Sequence, residues 1–127
     1  MSFNKQLYAQ RAVEHLQNAG TCVTNADYVQ AGEKVWAALS ALINSRSNHE
    51  IRKVQEKQRE FSYMLQSYKL KNPLFQNVMR NQGFSYNNQL WYGLYGLHEF
   101  FYGASKNYSN TYLSRVIPFY LNLVSNL

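Results

Sequence analysis

Three ionisable residues stand where such residues are scarce. Glu33 and Lys34 fall within Ala31-Gly32-Glu33-Lys34-Val35-Trp36-Ala37-Ala38-Leu39, and His98 within Leu97-His98-Glu99-Phe100-Phe101-Tyr102-Gly103. A carboxylate, an ammonium and an imidazole among small and aromatic side chains provide acid/base groups and an anion contact, and burial would move their pKa values. Lys34 suits a phosphate, His98 a hydrogen bond to a ligand or to Glu33, and Trp36 a packing or stacking wall, with Tyr102 a further polar group near the late stretch. The expected ligand-binding set is therefore Glu33, Lys34, Trp36, His98 and Tyr102, with no residue assigned to catalysis. Neighbours on a helix diverge by about 100°, so Glu33 and Lys34 cannot face one pocket equally. The competing reading is structural: two flank charges in water, and a core histidine satisfied by one partner.

Other chemistries find less support. Arg11 and His15, four apart on one helix face, would hold a phosphate or simply lie on the surface. Three histidines, one cysteine and no CxxC pair offer no structural zinc set. Cys22 reads as a small buried apolar residue, and no glycine-rich phosphate loop occurs. No metal and no cofactor is expected.

The elements that must position these residues all read as helices. The spacing of Phe3, Leu7, Val13 and Leu16 predicts a helix over 3–18 that ends at Gly20. Thr24 then reads as the cap of a second helix running to about Ser45, with Asp27 in its first turn. On that helix Tyr28, Ala31, Val35, Leu39 and Leu42 form one stripe flanked by Trp36 and Ile43. Gly32 lies inside it and costs about 1 kcal/mol relative to alanine, which predicts close approach of another element. Ser47-Asn48 opens a long charged helix over 49–71, sparse in apolar residues at first and denser later. Asn72-Pro73 reads as the cap and first position of a short helix over 73–81 that ends at Gly83. A helix over 87–103, apolar around much of its circumference, should be central. After a polar break at 107–110 comes a last helix over 109–126, with Pro118 expected to kink it near Ser114. No run alternates as a strand would. The fold class is all-α, an antiparallel up-and-down bundle of four to six helices.

At 127 residues the chain is expected to form one domain, 1–127, able to bury a core without disulfide or metal. A lone cysteine and no basic-then-apolar leader suggest a cytoplasmic protein, and no apolar run approaches the roughly 18 residues of a span, so no membrane partner is expected. Thirteen Lys+Arg against seven Asp+Glu give +6 and a pI near 9.5, which fits a polyanionic partner. The charge is uneven: residues 61–98 hold Lys69, Lys71 and Arg80 but no acid, and after Glu99 only Lys106 and Arg115 are charged. Eleven tyrosines and seven phenylalanines imply either a ring-packed core or exposed stacking platforms.

The two opening stretches resemble the HEPN superfamily (higher eukaryotes and prokaryotes nucleotide-binding), and within it the archaeal PaREP-type family. The early motif, small-small-Glu-Lys-x-Trp-small-Ala, is similar to 31–38. The late one, Leu-His-x-x-Phe-Tyr, is similar to 97–102. The resemblance implies a helical bundle, often a homodimer, in a superfamily of RNA-cleaving toxins and partners of minimal nucleotidyltransferases. The nuclease branch carries Arg and His separated by about four to six residues. Here Arg11 and His15 are separated by three, Arg46 and His49 by two, and no arginine closely precedes His98. The expected function is thus non-catalytic binding of a nucleotide, RNA or a partner protein, such as a nucleotidyltransferase, by a homodimer. One alternative is a divergent metal-independent ribonuclease pairing His98 with Arg80, Arg46 or an arginine of a second subunit. The other is a structural adaptor with an aromatic partner surface.

Overall fold

A computed structural model describes residues 3–103 and 107–127; Lys106 of the charge pattern lies outside the described residues. These form six helices and no strand: α1 (Lys5–Thr24), α2 (Tyr28–Ser45), α3 (Val54–Lys71), α4 (Phe75–Asn81), α5 (Asn87–Phe101) and α6 (Asn110–Asn126). The expected all-α bundle is what forms, and α6 is helical through Pro118.

The centre is α2 rather than α5. It packs against α1, α3, α5 and α6, and its buried residues Ala31, Gly32, Ala38 and Ala41 are small, so neighbouring helices approach its backbone. Val35, Leu39 and Ile43 are buried among them, each stabilising the fold by about 2 kcal/mol. The close approach expected at Gly32 comes from α5: a Cβ on Gly32 would lie 3.3 Å from Leu97 Cβ.

Helix boundaries depart from the sequence reading for local reasons. Gly20 lies within α1, which continues to Thr24, and the Thr24 hydroxyl turns back to donate to the Gly20 carbonyl. The chain reverses at Ala26, φ +57°, and Asp27 caps α2 by accepting from Gln30 N at 3.4 Å. α3 starts at Val54 instead of 49 because Asn44 holds the preceding segment: its Oδ1 accepts from Ile51 N at 2.6 Å and its Nδ2 donates to Ile51 O at 3.2 Å. Asn72 closes α3, donating to Tyr68 O at 2.9 Å, instead of opening α4.

Rings fill the core and also leave it. Trp91 lies between Trp36 (centroids 5.2 Å apart) and Phe61 (5.5 Å). Tyr120 is fully buried, whereas Tyr63, Tyr86, Tyr92 and Tyr102 are exposed.

Candidate functional site

The contact of Gly32 with Leu97 sets the register between α2 and α5, and the next residue on each helix forms the site. Glu33 Oε2 and His98 Nδ1 are 2.8 Å apart. Their side chains are 15% and 31% exposed, so the carboxylate is the more deeply placed partner. Burial pushes the Glu33 carboxyl above the ordinary carboxylate range, while the His98 hydrogen bond and charge and, last, Lys34 pull it back. The imidazole stacks on Trp36 (centroids 5.2 Å, interplanar 25°) and meets Tyr102 edge-on at 5.0 Å.

Trp36 is only 6% exposed. Its ring contacts Trp91, Tyr95 and His98, and Lys57 Nζ lies 5.9 Å from its centroid. Trp36 is therefore a packing wall: its rim reaches a groove, but no open face remains for a base. Tyr102, by contrast, is 70% exposed at the C-cap of α5.

On the other side of Glu33 lies a groove of about 400 Å³ lined by α1, α2, the 50–52 segment and the start of α3. Arg11, His15, Arg52 and Lys57 face it, with Glu33 and Glu50 as its acids. Glu50 is engaged by Arg52 Nη2 (2.8 Å) and by the Tyr8 hydroxyl (2.6 Å), and Glu33 by His98. Arg11 and Lys57 have no carboxylate ion pair among the described residues; the Arg11 guanidinium sits 5.5 Å from the Tyr8 ring centroid. Burial lowers the Lys57 ammonium pKa. Burial first, then Lys34, lowers that of His15, whose buried Nδ1 has no hydrogen-bond partner among the described residues. The arrangement leaves Arg11 and Lys57 as the cations that could meet a small anion, with Arg52 turned to Glu50 and His98 to Glu33.

Of the residues singled out from sequence, Glu33, Trp36, His98 and Tyr102 meet around one imidazole. Lys34 is not among the residues lining the groove, as the divergence of adjacent helical positions requires. The lysine that lines it is Lys57. The signal for Lys57 was present: it lies three residues after Val54 and four before Phe61, on the apolar face of α3. Arg11 and His15 do share a face of α1 and both line the groove. Glu50 and Arg52 carried no signal, since their placement depends on the Asn44–Ile51 pairing. Arg46 lines a different depression, with Tyr63 and Asn126, and Arg80 is exposed in the last turn of α4. Among the described residues no group of three or more His, Cys, Asp or Glu could hold a metal ion.

A family model described as the archaeal PaREP1/PaREP8 family matches residues 7–115, a span that contains every groove and imidazole-cluster residue named above. Neither a curated protein nor a solved structure matches the chain.

Proposed function

The chain belongs to the archaeal PaREP1/PaREP8 family, and from that premise we propose that it is a non-catalytic, HEPN-like binding protein whose groove takes the phosphate of a nucleotide or RNA. The observation that carries this reading is the convergence of Arg11 and Lys57, neither paired with a carboxylate among the described residues, on one groove whose acids Glu50 and Glu33 are engaged by Arg52 and His98. The net charge of +6 would raise the encounter rate with a polyanion. In the same reading the protein is cytoplasmic, pairs as a homodimer and serves a nucleotidyltransferase-type partner.

Fluorescence anisotropy with a labelled single-stranded RNA, and calorimetry with ATP, test the ligand. Arg11→Ala and Lys57→Ala should each weaken binding by roughly tenfold and flatten its salt dependence. Binding should also weaken as pH rises through the lowered Lys57 pKa, because the neutral amine no longer attracts the anion. If Arg115→Ala, remote in the fold on α6, costs as much as either groove variant, the binding is a general charge effect and the groove assignment is wrong.

One observation favours a second reading, the divergent ribonuclease. With Nδ1 held by Glu33, His98 keeps Nε2 for a ligand, the arrangement of a carboxylate-oriented general base. Purified protein incubated with RNA and a chelator decides it: cleavage lost in His98→Ala supports the enzyme, and no cleavage at high protein concentration removes it.

A further inference from the structure

The acid-free stretch 61–98 has no part in the groove, and its three cations lie on α3 and α4, the two helices that leave the most exposed leucines at their junction. Leu70, in the last turn of α3, is 85% exposed, and Leu74, in the turn before α4, is 73% exposed; Val78, one turn into α4, is exposed as well. Lys69 and Lys71 flank Leu70, Lys69 Nζ donating to Asn87 Oδ1 of α5 at 2.9 Å, and Arg80 is exposed two residues after Val78. Exposed Tyr63 shares a depression with Lys71. Every remaining polar residue in 61–98, apart from His98, is uncharged.

We propose that this α3–α4 corner docks the protein peripherally on an anionic lipid bilayer, with Leu70 and Leu74 entering the acyl boundary and the positive charge of Lys69, Lys71 and Arg80 drawing the corner to the headgroups. Two observations select this occupant. The first is charge: three cations with no acid between residues 61 and 98 complement an anionic surface, each cation being worth roughly fivefold in partitioning. The second is protrusion. Leucines this exposed have little protein beside them, which suits insertion about 5–10 Å into a headgroup and acyl boundary. No helix of the described residues is long and apolar enough to cross a membrane, so the contact lies on the surface.

Co-sedimentation of the full chain with vesicles tests this. Equimolar phosphatidylglycerol and phosphatidylcholine vesicles should retain the protein, and pure phosphatidylcholine vesicles should retain it at least about tenfold less well. Leu70→Ser/Leu74→Ser should also lower binding by about tenfold or more through lost apolar insertion, while its thermal unfolding stays that of the parent because both side chains are exposed. Lys69→Gln/Lys71→Gln should lose far more than Lys5→Gln/Lys53→Gln. Absence of binding to the anionic vesicles overturns the proposal. So does full retention by the leucine double variant, or equal loss by the two lysine pairs, since either result would reduce the contact to adsorption of a basic protein.

Discussion

Gly93→Ala should lower the midpoint of thermal unfolding by about 10 °C, the consequence of losing about 3 kcal/mol in a domain of this size. A Cβ at this position on α5 would overlap the hydroxyl oxygen of Tyr120 on α6 and lie 3.2 Å from its Cζ and 3.5 Å from Phe84 Cε1. Tyr120 has no room to yield. It is fully buried, its ring lies against Phe84 and Phe119 with centroids 5.6 and 5.3 Å away, and its hydroxyl donates to Leu90 O at 3.1 Å. Alanine would gain about 1 kcal/mol of helix propensity. Against that, overpacking costs about 1–3 kcal/mol, and displacing the hydroxyl adds about 1–3 kcal/mol for a buried polar group left unmatched. Calorimetry of Gly93→Ala, Tyr120→Phe and the double variant checks the cause. Removing the offending oxygen should recover about half of the loss, a coupling expected only of residues in contact. A Gly93→Ala protein at least as stable as the parent would contradict the packing described.

This glycine and Gly32 also explain what the sequence could and could not disclose. Helical periodicity is local, so the six helices and the stripe of α2 were legible from residue types alone. The close approach at Gly32 was legible too, because a glycine in a helix interior needs a reason. The boundaries were less so. Thr24 and Asp27 are both good caps, and the choice fell to Asp27 because the chain reverses at Ala26, a residue with no turn signal. The 49–53 segment reads as the start of a helix, but the Asn44 side chain captures the Ile51 backbone through two hydrogen bonds that no periodicity announces. The placement of α2 at the centre was missed because four of its nine buried positions are alanine or glycine, which score as weakly apolar while permitting the closest packing. For the site, the wheel showed that Glu33 and Lys34 diverge, and Glu33 was one of the two partners expected for His98, but local spacing could not choose between Glu33 and a ligand. That pairing spans 65 residues and follows from the register that Gly32 and Leu97 impose, a tertiary fact.

His98→Ala should destabilise the protein by about 2 kcal/mol near neutral pH, the cost of leaving a largely buried carboxylate without its partner, moderated by the part of Glu33 that water still reaches. The pH dependence separates this from lost packing against Trp36. Burial already raises the folded pKa of Glu33 above its unfolded value. For such an acid the stabilising contribution is fully present below the unfolded pKa and is lost as pH rises through the folded pKa. Removing the imidazole takes away both of its downward influences on Glu33, so the folded pKa climbs further and the lossy window widens toward neutrality. The stability difference between parent and His98→Ala should therefore be largest near pH 7 and shrink as the solution is acidified through the carboxylate range, where Glu33 is neutral in both states. Glu33→Gln removes the titrating charge, so the difference between Glu33→Gln and Glu33→Gln/His98→Ala should keep only its packing component and lose the part of its pH dependence that Glu33 supplies. Urea unfolding of the four proteins across that range measures it. A difference between parent and His98→Ala that stays constant with pH would mean that the imidazole serves α5 by stacking on Trp36 and not by answering the charge of Glu33, and the pair would then lose its standing as the acid/base element of the site.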